Sequence, residues 1–175
     1  GFSDAFAKEF GIEGFDQPKA LMLQYFALVF GDMFAGLLSN WIKSRKKTLI
    51  IYYVLIIIFI TLFFALRGGG STTNMYILCM CLGFATGISV LYITMSAEQF
   101  GTNLRATAAI SIPNNVRGML PLMIILFKFL RDKSVLGNMI TAAWIVGAIA
   151  LLAGIISVYF TKETWGKDLD FIESL

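Results

Sequence analysis

The 175-residue sequence contains no histidine and only two cysteines. Without an imidazole there is no His-based proton relay and no His metal ligand. Cys79 and Cys81 stand two apart inside an apolar run, so on a helix they point to different faces and form neither a metal site nor a redox pair. No glycine-rich phosphate loop follows a strand-like segment, which removes the P-loop ATPases. Charge is scarce too. Asp, Glu, Lys and Arg make up 14% of the chain, against about 25% in a soluble globular domain. The net charge of +3 is explained by loop topology and does not point to nucleic acid. No catalytic constellation is present, so neither an enzyme, a cofactor nor a metal is expected.

What fills the sequence is apolar. Hydrophobic residues reach 58%, with sixteen Phe and eight Met, and mean hydropathy is +0.78. Residues 48–66 (TLIIYYVLIIIFITLFFAL) carry no charge over nineteen positions. At 1.5 Å per residue such a helix reaches roughly 28 Å, the thickness of a bilayer's hydrocarbon core. Four more stretches have comparable length: 20–42, 75–95, 106–130 and 137–160. Backbone amides in lipid must be satisfied within the segment, so each is expected to be an α-helix. The fold class is therefore all-α, a polytopic bundle of five transmembrane helices. Residues 1–19 form an extracytoplasmic lead-in, 20–160 the bundle, and 161–175 a cytoplasmic tail. The glycines at 68–70, with Ser71, belong to a tight turn between the second and third spans.

Orientation follows from one clip. Lys43, Arg45, Lys46 and Lys47 sit within five positions between two apolar runs. Short loops rich in Lys and Arg stay in the cytoplasm. Counted over the whole chain, the clip included, the cations are nearly balanced between the two sides, so it is the density of this clip that decides. It places the first connection, the 96–105 connection and the C-terminus inside, with Trp41 and Trp165 near the inner interface.

Three segments carry a family resemblance. Gly36-Leu-Leu-Ser-Asn40, then Ser44-Arg45-Lys46-Lys47, with Gly31 five residues upstream, resembles the loop signature of the major facilitator superfamily, in which Gly, Asp and Gly-Arg-Arg/Lys join two helices. Ala97-Glu98-Gln99-Phe100-Gly101-Thr102-Asn103-Leu104-Arg105-Ala106-Thr107 is similar to the family's AExFPTxxRAT segment. Glu163-Thr-Trp-Gly166-Lys-Asp-Leu-Asp-Phe-Ile-Glu173 is similar to its PETKGxxLxxIE ending. Asn40, Trp41, Gly101 and Lys162 depart from the family's Asp, Arg, Pro and Pro, and the first loop is one residue longer. The order of the three matches implies helices eight to twelve of a twelve-helix transporter. The Gly1 start and the odd number of spans fit that expectation, with the N-terminal half of the same transporter as a partner. The resemblance also implies a cytoplasmic gating network in which Arg45, Glu98, Arg105 and Glu163 pair at one layer, with Gly36 in the same signature. Lys43, Lys46 and Lys47 are expected to be ordinary solvated charges that fix topology.

Charged residues inside spans are costly and face the bundle interior or a water-filled path. Asp32 lies ten residues before the inner end of the first span, and Arg117 eleven residues after the inner start of the fourth, so both sit roughly 15 Å deep. Equal depth permits a pair; alternatively each meets the other half of the transporter or the solute. Arg117 suits an anionic group, and Asp32 a proton or a cationic group. Asn114 and Asn115 flank Arg117 between Pro113 and Pro121, where a kinked or broken helix would free backbone carbonyls. Gln24 lines an outer cavity or anchors an interface. Gly83 and Gly87 are spaced for close helix packing, and Lys128 snorkels outward. The function expected is secondary active transport of a small polar metabolite, sugar or organic anion, H⁺-coupled, by alternating access in a cell inner membrane. Drug or peptide efflux by the same fold is one alternative, and a non-transporting membrane scaffold or accessory subunit is another.

Overall fold

The computed structural model describes residues 2–66, 71–132 and 137–166, and every regular element among them is an α-helix. In chain order these are α1 (Phe2–Glu9), α2 (Gln17–Ile42), α3 (Arg45–Leu66), α4 (Thr72–Ala85), α5 (Ser89–Gln99), α6 (Arg105–Arg131) and α7 (Met139–Phe160). Five segments are long and apolar enough to cross a membrane: Gln17–Ile42, Arg45–Ala65, Thr72–Gln99, Arg105–Arg131 and Met139–Phe160. They coincide with the five apolar runs of the sequence. The turn at 68–70, the greater part of the connection after Arg131 with Lys133, and the tail from Lys167 to Glu173 and beyond lie outside the described residues.

One feature adds to the sequence expectation and one differs from it. The lead-in contains a short helix, Phe2–Glu9, about which the sequence expectation says nothing. The span that breaks is the third, not the proline-bearing fourth. The helix α6 runs through Pro113 and Pro121 without interruption. The third span stops at Ala85 and restarts at Ser89. Thr86 closes α4 by donating its hydroxyl to the carbonyls of Leu82 and Gly83, at 3.0 and 2.9 Å.

The chain divides into two compact units, one of residues 1–42 with 47–91 and one of residues 43–46 with 92–175. In the first, α2 and α4 pack along much of their length. Small residues make this possible. The buried positions of α2 are Ala20, Ala27, Gly31, Ala35 and Ser39, a stripe that lets a neighbouring backbone approach. A Cβ at Gly31 would lie 2.2 Å from the Phe84 carbonyl oxygen, and one at Gly83 2.2 Å from that of Gln24. A Cβ at Gly87 would meet the Asp32 amide nitrogen at 2.5 Å. The two helices therefore touch backbone to backbone, in the manner the Gly83/Gly87 spacing suggested. Large side chains of α2 such as Tyr25, Phe26, Val29 and Met33 are exposed. That inside-out pattern suits a lipid solvent.

The lead-in is fastened to the same unit by an aromatic cluster. Ala7, Ile12, Phe63, Met75 and Leu78 are buried together, with Phe6, Phe10 and Phe64 against them. Phe15 stacks on Tyr76 at 5.4 Å, and the Asp16 N–H donates to the Tyr76 hydroxyl at 3.0 Å.

In the second unit α6 packs on α7. Asn138 caps α7 by accepting from the N–H groups of Ile140 and Thr141, at 2.9 and 3.3 Å. Residue Lys43 takes a left-handed φ of 55° and, with Ser44, makes the whole turn between α2 and α3. The cationic clip is thus mostly helix, and Arg45, Lys46 and Lys47 form the first turn of α3.

Candidate functional site

Cations in the first turn of a helix oppose its dipole, and its first N–H groups have no partner in their own helix. Glu163 answers both problems from the far end of the sequence. Its carboxylate accepts the Ser44 hydroxyl, the Arg45 N–H at 2.9 Å and the Lys46 N–H at 3.3 Å. It also takes the N–H groups of Thr164 and Trp165, at 3.0 and 3.1 Å. Burial pushes the Glu163 carboxyl up, but the Ser44 hydroxyl and the N–H groups of Trp165, Arg45 and Lys46 outweigh it and hold its pKa at about 2.

Glu98 stands beside this cap near the end of α5. It forms an ion pair with the Arg45 guanidinium at 3.0 Å and accepts the Thr164 hydroxyl at 2.6 Å. The Nε–H of Arg105 donates to the Ala97 carbonyl at 3.1 Å. The geometry therefore brings Arg45, Glu98 and Glu163 together, and Arg105 binds the carbonyl of Ala97, the residue before Glu98. The expected charge pairing takes another form at Glu163. Among the described residues its partners are a hydroxyl and backbone amides, and no cationic side chain. Gly36 stands apart, on α2, with open space where a Cβ would be.

Lys46 departs from its expected role as a solvated charge. Its ammonium donates to the carbonyls of Tyr159 at 2.8 Å and Thr161 at 3.1 Å, at the negative end of α7. It lies 5.7 Å from the centre of the Tyr159 ring. A cleft of about 600 Å³ opens next to this cluster, lined by Gln99, Ser157, Lys162 and Thr164 among others.

The mid-span residues sit differently. Asp32 is on α2 in the first unit, beside the interruption of the third span. The Ser89 hydroxyl donates to its two carboxylate oxygens, at 2.8 and 2.7 Å, and the Val90 N–H donates to one of them at 3.2 Å. One position earlier, the Gly31 carbonyl accepts the hydroxyl of the fully buried Tyr52 at 2.8 Å. Gln24 lies two turns up α2, where its backbone carbonyl faces Gly83.

Arg117, Asn114 and Asn115 are on α6 in the second unit, and all three are exposed. No hydrogen bond or ion pair is made by these side chains among the described residues. The partners of Asp32 are thus a hydroxyl and a backbone amide of its own unit.

Sequence reasoning missed Ser44, Thr164, Ser89 and Tyr52. Two of them had a legible signal. Ser44 precedes a helix start at the N-cap position, and Ser89 follows a Thr-Gly pair, a combination that marks turns and helix starts.

Among the described residues the chain is all-helical, with five segments long and apolar enough to cross a membrane, one of them interrupted beside a carboxylate. Comparison of the chain with protein-family models, with curated proteins and with solved structures finds no match.

Proposed function

We propose that the chain is the helix-eight-to-twelve portion of a major facilitator-like secondary transporter, moving a small polar solute with H⁺ by alternating access. The observation that carries this reading is Asp32, a carboxylate held about 15 Å deep in a span, beside the interruption of its neighbour. Interrupted helices with ionisable groups near the midplane suit solute and ion sites. A scaffold has no use for such a costly charge.

The exposed face of α6 supplies the second half of the reading. Arg117 with Asn114 offers a guanidinium fork and a carboxamide three residues apart on one side of the helix, a match for a planar anion. The solute is accordingly an organic anion or a small polar metabolite. The membrane is a cell inner membrane, with the Lys43–Lys47 clip and the C-terminus on the cytoplasmic side. The Arg45–Glu98 pair and the Glu163 cap lie at the cytoplasmic layer and stabilise one of the two access states. A single ion pair near the surface contributes only about 0–1 kcal/mol, so the half-buried Arg45–Glu98 pair and the Glu163 cap act as a set.

Uptake of a panel of radiolabelled organic anions, sugars and polar metabolites by the full-length protein in proteoliposomes tests the proposal. Wild type should accumulate at least one of them under an inward proton gradient. Asp32→Asn and Arg117→Gln should each reduce that uptake by an order of magnitude or more. Undiminished uptake in both variants overturns the site assignment.

A further inference from the structure

The interruption of the third span leaves its two halves held in different ways. The helix α4 is fixed to α2 by backbone contact at Gly31 and Gly83, where not even a Cβ has room, and Gly87 in the interruption itself also lies against α2. The helix α5 begins three residues later, and its opening turn is fastened to α2 by a side chain. The Asp32 carboxylate takes Ser89's hydroxyl on both oxygens and the Val90 N–H on one. Between the two, short turn bonds join the halves, among them Gly87 N–H to the Phe84 carbonyl at 3.1 Å and Ile88 N–H to the Thr86 carbonyl at 2.8 Å.

We infer that residues 86–88 are a hinge and that Asp32 is its latch, with Ser89 as the positioning residue that holds the carboxylate against α5. This rests on the transporter reading of Asp32 and gives the same residue a mechanical role. A carboxylate accepts on both oxygens. A proton added to either oxygen turns one acceptor into an O–H donor; the Val90 N–H can only donate, and the Ser89 hydroxyl must turn from donor to acceptor to meet it. Protonation therefore weakens the latch and removes the negative charge from the N-terminus of α5, where the helix dipole favours it. The loosened α5 pivots at the hinge while α4 stays on α2.

The groups around Asp32 are consistent with this switch. From α3 the titratable group is Tyr52, whose hydroxyl is already committed to Gly31. From α5 Ser89 presents a hydroxyl, which does not titrate, and the residues between α4 and α5 meet Asp32 with the backbone of Gly87. No ion pair to Asp32 exists among the described residues to compete with the proton.

Backbone hydrogen exchange on the full-length protein in nanodiscs at neutral pH tests the latch, with transport assayed on the same preparations. Asp32→Ala removes every acceptor. Amides at the start of α5 should exchange about fivefold faster or more, the factor expected from losing a helix cap, while those of α4 stay unchanged. Ser89→Ala should have the same local effect. Asp32→Asn is neutral and leaves one carbonyl acceptor, as the protonated carboxyl does, so it should also speed α5 exchange, though by less than Asp32→Ala. Unchanged α5 exchange in Asp32→Ala overturns the latch, and so does equal acceleration in α4 and α5, which means general loosening. If wild type transports nothing while the α5 result holds, the transporter reading fails and the latch stands. If transport is proton-coupled but α5 exchange is unmoved, the reverse is true.

Discussion

Two carboxylates, Asp32 and Glu163, accept hydrogen bonds from the opening turn of a helix to which neither belongs. Neither role was legible in the sequence. The chain separates Glu163 from Arg45 by more than a hundred residues, and motif resemblance suggested an ion pair. The ion pair exists at Arg45 and Glu98, while Glu163 serves the backbone. Its pH dependence follows from that. The folded-state pKa of about 2 lies below the ordinary value of 4.5. Stability from Glu163 is therefore fully present above about pH 4.5 and is lost as the pH falls through about 2. Glu163→Gln should cost about 0.5–1 kcal/mol near neutrality, the lower part of the capping range because solvent screens this exposed group. The difference between the variant and wild type in thermal unfolding should vanish near pH 2. A difference that persists undiminished there would contradict the cap.

At the scale of elements, hydrophobic runs made the five spans readable because lipid imposes one rule on every residue of a crossing segment. The interruption of the third span was not readable. Its hydropathy is continuous across Thr86, Gly87 and Ile88, and the break is set by contacts to α2 fifty-odd residues away in sequence. The prolines misled for the converse reason. A helix can pass through Pro113 and Pro121 in one piece when only their own hydrogen bonds are forfeited. The α1 helix was hidden by its brevity, since eight mixed residues give no span-like signal. The glycines now sort by surroundings. Gly83→Ala and Gly31→Ala each drive a Cβ into backbone and should cost about 2 kcal/mol or more, with poor recovery of folded protein. Gly36→Ala and Gly118→Ala meet nothing within 4 Å and should be neutral or stabilising by up to about 1 kcal/mol. Thermal unfolding in detergent separates the two classes, and equal losses at Gly83 and Gly36 would refute the backbone contact.

For the whole molecule, the proposed topology, five crossings with the clip at residues 43–47 on the cytoplasmic side, is one that labelling can read. With Cys79 and Cys81 replaced by alanine, a cysteine at position 43 or 102 should react with an impermeant maleimide only from the cytoplasmic side, and one at position 73 or 138 only from the opposite side. Reaction of 43 and 73 from one side would invert or break the proposed arrangement. The functional claim is tested most directly by proton movement. Full-length protein in vesicles carrying a pH-sensitive dye should show proton influx on addition of a transported anion, and Asp32→Asn should abolish that influx while the anion still binds. Influx of equal size in wild type and Asp32→Asn would contradict the account.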